Sequence, residues 1–117
     1  MSDLVVTVPL SFGLDRWIAE GDPAAAPWSG QLWDFGVAGG RPDIAPGERV
    51  YIVHARRLRG YAPLVEVQRA GHAYWALVRG GGAVACTIDE PIIGFRGWRR
   101  RWWDRAIERP FEDWQMP

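Results

Sequence analysis

The chain has 117 residues, 48% hydrophobic and 24% charged, which describes one ordinary globular domain rather than a disordered segment. Its 14 basic and 14 acidic residues cancel, so the whole molecule does not attract polyanions from a distance and any nucleic-acid role has to be local. The single cysteine, Cys86, excludes an internal disulfide framework and a multi-cysteine zinc site.

The first segment, "DLVVTVPL" (Asp3 to Leu10), is β-branched and reads as a strand ended near Pro9. It carries no basic stretch ahead of its apolar run, and no run in the chain approaches the ~20 residues that cross a bilayer. The expectation is a cytoplasmic protein with no membrane partner. Ser11 is placed to cap a short helix with Leu14, Trp17 and Ile18 on one face, stopping at Gly21-Asp22-Pro23. Beyond an Ala/Pro/Gly-rich connection, "GQLWDFGV" reads as a strand or an irregular loop, and "GGRPDIAPGE" (Gly39 to Glu48) as a long polar turn. Four strand patterns follow: "RVYIVHA", "RGYAPLVEVQ", "AYWALVR" and "AVACTI". The last two flank Gly80-Gly81-Gly82, read as a hairpin turn; a phosphate-cradling glycine loop would lead into a helix, and this one leads into a strand. Cys86 falls inside "AVACTI", where a buried strand residue is expected rather than a nucleophile.

The segment "GFRGWRRRWWDR" (Gly94 to Arg105) fits two templates. Trp98, Trp102 and Ala106 recur at a spacing of four, so an extended piece through Gly97 followed by a helix to about Arg109, ended by Pro110, is the expected form. Strand alternation would instead set Arg96, Trp98, Arg100 and Trp102 against Phe95, Arg99 and Arg101.

Every basic residue is arginine. The absence of lysine removes P-loop, Schiff-base and general-base lysines, and it fits either a GC-rich coding sequence or selection for phosphate and base recognition. Between Arg96 and Arg109 six arginines face only Asp104 and Glu108. Guanidinium charge and indole planes are what a single-stranded nucleic acid requires of a protein. The same tryptophans also suit a small core, and at least two of Trp98, Trp102 and Trp103 are expected to be buried. The acidic, aromatic tail "ERPFEDWQMP" is expected to dock on the chain's own basic segment.

The order "VTVPLSF", "PGERVYIVHARRLRGYAPLVEV", "ALVRGGGAVACTI" resembles the PUA-like superfamily, particularly its ASCH and EVE-type small domains, although the GxKxxExR signature of ASCH domains is missing. The resemblance implies a bent β-barrel with short helices packed at its mouth and a cleft for RNA, modified bases or nucleotide-like ligands. It places Trp33 where such domains cage a base, with Arg59 and Tyr61 on a strand near the barrel opening and Arg79 at the end of another. Some relatives are small amidohydrolases that use a lysine, a threonine and a glutamate; here there is no lysine, and the threonines are Thr7 and Thr87. Glu66 would matter as a carboxylate only if buried in a cleft. His54 and His72 stand apart, and His54 reads as a strand-end residue.

The expectation is therefore a single α+β domain over residues 1–117: a small bent, mainly antiparallel β-barrel with short helices at its mouth. Its expected function is non-catalytic binding of RNA, DNA or a modified nucleobase, with no cofactor and no metal. The candidate nucleic-acid contacts are Arg59, Tyr61, Arg79, Arg96, Trp98, Arg99, Arg100, Arg101 and Trp102, with Trp33 stacking a base. The partner is nucleic acid or a nucleotide-like ligand, and the oligomeric state is open. The alternatives are a small amidohydrolase-like enzyme acting on nucleoside-type ligands and a protein-interaction module.

Overall fold

A computed structural model describes residues 3–8, 33–79, 84–95 and 97–110. Among them the chain is almost all sheet: β1 (Leu4–Thr7), β2 (Trp33–Ala38), β3 (Arg49–His54), β4 (Arg57–Gly71), β5 (Tyr74–Arg79), β6 (Val84–Thr87), β7 (Trp98–Arg100) and β8 (Arg109–Pro110). The strands follow the order β2-β5-β4-β3-β1-β7, with β6 on β4 and β8 on β6, in a curled half-barrel. Neighbours are antiparallel except β1 and β3, which run parallel with Leu4 opposite Val50 and Thr7 opposite Val53.

The curl originates in β4. This 15-residue strand breaks register with β3 between Ile52 and Val53, and with β5 at Leu64/Glu66 and at Arg69/Gly71. Each extra residue bends the strand and increases its twist, so one β4 serves β3 and β6 with its first half and β5 with its second. The two ends of the sheet approach each other near Gly97 (φ +71°), where an added Cβ would lie 3.7 Å from the Ala38 carbonyl oxygen.

Alternation along the strands makes two cores. Leu4, Val6, Val37, Val50, Ile52, Leu64 and Leu77, with Trp75 and Trp98 at their margin, come from every strand of the main path and fill the inside of the curl. Val5, Tyr51, Val53, Leu58 and Cys86 lie on the opposite face, covered by Ile88, Ile92 and Trp103. Burial on both faces explains why Leu4 to Val6 and Val50 to Val53 are unbroken apolar runs.

The structure departs from two of the expectations. No α-helix packs at a barrel mouth among the described residues, so the α+β class gives way to a nearly all-β one. The Trp98-to-Arg109 helix is replaced by β7, an extended stretch and one 3-10 turn at Arg105–Ile107, capped by Asp104 through its carboxylate and the Ala106 N–H at 2.8 Å. Pairing outweighs local periodicity: Val6 faces Trp98, Val5 faces Arg99, and the Arg101 N–H continues onto the Asp3 carbonyl at 3.0 Å. Pro110 ends no helix; it sits in β8 opposite Cys86, at an edge position where a missing N–H is tolerated.

The glycine hairpin is also overturned. Tyr74 pairs with Gly71 and Arg79 with Leu64, and the same progression continues to Val84 on Tyr61 and Ala85 on Gly60. β6 thus prolongs the direction of β5 along β4 and does not turn back on it. The helix placed at Ser11 to Ile18 and the docking of the tail beyond Pro110 lie outside the described residues.

A true two-residue hairpin joins β3 to β4, with Ala55 at φ +53° and Arg56 at φ +63°. Positive φ at both central positions is the type I′ pattern that Asn-Gly adopts without strain. Replacing Ala55 by Asn and Arg56 by Gly should raise unfolding free energy by about 1 kcal/mol. Denaturant midpoints at unchanged m-value would record it.

Candidate nucleic-acid interface

The basic segment owes its shape to buried carboxylates. Asp3, with its side chain 3% exposed, accepts from the Arg49 backbone N–H (2.9 Å), Arg101 Nε (3.2 Å) and Arg105 Nη2 (2.7 Å). Burial alone would raise its pKa, but the Arg49 N–H and the Arg105 and Arg101 guanidiniums together hold it below the ordinary carboxylate range. Arg101 also donates to the Trp103 carbonyl. Arg100 bonds Asp43 at 2.9 Å on the surface, and Arg109 bonds Asp89 at 2.6 Å.

A second polar cluster lies under the outer face. Glu108 accepts from the Tyr51 hydroxyl (2.6 Å), Trp103 Nε1 (2.8 Å) and Arg49 Nη1 (3.1 Å), while Arg49 also lies 4.1 Å over the Tyr61 ring. Burial and the Glu108 carboxylate push the Tyr51 hydroxyl well above the usual tyrosine range. The buried Cys86 thiol is pushed up to about 12, by burial first and the Glu108 charge second, so it is no nucleophile at neutral pH.

The predicted site residues therefore separate. Arg59 and Arg79 are buried, Arg59 at the β4 bulge, and burial first, then Arg57, lowers the Arg59 pKa. Tyr61 is half-buried beneath Arg49. Trp33 stands opposite Arg79 in the β2–β5 register, and Arg96 lies outside the described residues. Trp98 and Arg100 belong to the face of the inner core, Arg99 to the other, and Arg101 is turned onto Asp3. Of the three tryptophans Trp103 is buried, Trp98 half-buried and Trp102 47% exposed.

Arg99 and Trp102 remain together at the surface. The exposed Arg99 guanidinium lies 4.5 Å over the Phe95 ring, Phe95 meets Trp102 edge-on at 6.2 Å, and Trp102 meets the buried Trp103 edge-on at 5.0 Å. Among the described residues no carboxylate reaches Arg99. Ile93, 81% exposed, precedes Phe95 in the same loop. Phe95 is not among the candidate contacts read from the sequence; its ring carries Arg99, a pairing that follows from β7 placing Arg99 on the Val5 side of the sheet.

The residues singled out for the enzyme alternative have these surroundings. Glu66 is exposed and accepts from Gln68 Nε2 at 2.5 Å, Thr87 is fully buried, and Thr7 accepts from the Phe95 N–H at 3.2 Å. Compared with known proteins, the chain matches no family model, no curated protein and no solved structure. Among the described residues no helix is long and apolar enough to cross a membrane.

Proposed function

We propose that the domain binds single-stranded nucleic acid or a modified nucleobase without catalysis, in the manner of the PUA-like domains that its sequence resembles. The supporting observation is the Arg99–Phe95–Trp102 surface: an exposed guanidinium held on one ring beside a half-exposed indole. Phe95 fixes Arg99 without neutralising it, leaving its N–H edge for a phosphate or a base edge. Trp102 is supported from behind by Trp103, itself tied to Glu108, so the indole is held in place before a base arrives. The interface is smaller than the arginine run implies, because Arg100, Arg101, Arg105 and Arg109 serve carboxylates of the chain.

Single substitutions test this reading. A joint Arg99/Arg100/Arg101 replacement would also remove a guanidinium from Asp3 and confound binding with folding. Trp102→Ala should cost about 1–3 kcal/mol of affinity for a short single-stranded oligonucleotide, the usual worth of one stacked base. Arg99→Ala should weaken binding and reduce the salt slope by about 1. Fluorescence anisotropy across a salt series reads both effects. Equal affinity in wild type and both variants would reject the surface.

A further inference from the structure

At one end of the curl two more arginines share an indole. Arg41 and Arg69 place their guanidinium carbons 5.3 and 5.9 Å from the centroid of the Trp75 ring. Trp75 is fixed in turn: it packs against the inner core, and its Nε1 donates to the Gly39 carbonyl at 3.1 Å. Register explains the assembly. Trp75 pairs with Arg69 on β4 and with Val37 on β2, and the loop leaving β2 returns Arg41 to the same ring. Both arginines are exposed, and among the described residues no carboxylate reaches either one.

This differs from the chain's usual treatment of arginine, in which Arg49, Arg100, Arg101, Arg105 and Arg109 each meet a carboxylate. Contact with a ring restrains a guanidinium but leaves its charge and its outward N–H donors unspent. Two such groups around one indole concentrate positive charge, with no carboxylate among the described residues paired to either. Each guanidinium, restrained 5.3 or 5.9 Å from the ring centroid, can donate bidentately to a phosphate oxyanion.

We propose that Arg41 and Arg69, braced on Trp75, form a clamp for phosphate groups, separate from the Arg99 surface. The ligand chemistry is the phosphate oxyanion, carried either by a free oligophosphate or by the backbone of a nucleic-acid strand. The clamp does not depend on the Arg99 reading, and each can fail alone.

The experiment follows the Arg41 and Arg69 Nε–H and the Trp75 Nε1–H resonances of the full chain during titration, first with inorganic pyrophosphate and then with a short oligothymidylate. The expected result is a saturable shift of these resonances with pyrophosphate at low salt, weakened about tenfold or more by Arg41→Ala or Arg69→Ala and unaffected by Arg99→Ala. Shifts with oligothymidylate as well identify the strand backbone as a source; shifts with pyrophosphate alone identify a free oligophosphate. Both outcomes support the clamp. It is overturned if neither probe moves these resonances, or if binding is unchanged in Arg41→Ala and Arg69→Ala. Since both side chains are exposed, a chemical-shift map matching wild type elsewhere establishes that the variants are folded.

Discussion

Replacing Asp3 by Ala should destabilise the domain by about 3–5 kcal/mol, because it leaves the Arg49 N–H and the Arg101 and Arg105 guanidiniums gathered around an absent carboxylate. The half-exposed Arg105 recovers solvation easily, which places the expectation at the lower end of that range. Asp3 joins the start of β1, the start of β3 and the chain beyond β7, so its loss loosens three segments at once. Its pH dependence has a definite sign. With its pKa lowered in the folded state, Asp3 contributes stability above its unfolded value of about 3.9, and that contribution is lost as pH falls through the lower folded value. Urea unfolding between neutral and strongly acidic pH should therefore show an acid limb in wild type that Asp3→Asn flattens.

Glu108→Ala should cost about 3 kcal/mol, through two buried donors, the Tyr51 hydroxyl and Trp103 Nε1, left without their acceptor. Arg49 is partly exposed and can turn to water, so it adds little. Glu108→Gln should be milder: one amide oxygen can still accept from both donors, although the amide nitrogen then faces Arg49. The raised Tyr51 pKa adds an alkaline limb. A raised folded pKa means that stability is intact below the unfolded value of about 10 and is lost as pH rises past it toward the folded one. Tyr51→Phe should remove that limb, again by denaturant unfolding, while leaving Glu108 to Trp103 and Arg49.

The strand cores were readable because β1 and β3 are buried on both faces and β4 is long, so their apolar and β-branched runs carry the signal directly. The Trp98-to-Arg109 segment misled because Trp98, Trp102 and Ala106 satisfy a helical period, while the partners that override it, Asp3 and Val6, lie nearly a hundred residues earlier. The strand alternative was correct where β7 forms, separating Trp98 and Arg100 from Arg99. The triple glycine misled for a related reason: a turn signal is local, whereas collinear pairing of β5 and β6 on β4 is decided by β4. Within the candidate site, the exposure of Trp102 and the burial of Trp103 could not be separated from adjacent identical residues; Glu108, bonding one indole and not the other, makes the distinction.

The most direct measurement follows the Trp102 and Trp103 indole N–H resonances while a short single-stranded oligonucleotide is added at low and at raised salt. Base stacking on the surface predicts a saturating shift of Trp102 that requires higher oligonucleotide concentrations as salt rises, with Trp103 little changed in its bond to Glu108. A Trp102 resonance that stays in place while the oligonucleotide saturates the protein elsewhere, or no binding at low salt, would contradict the account.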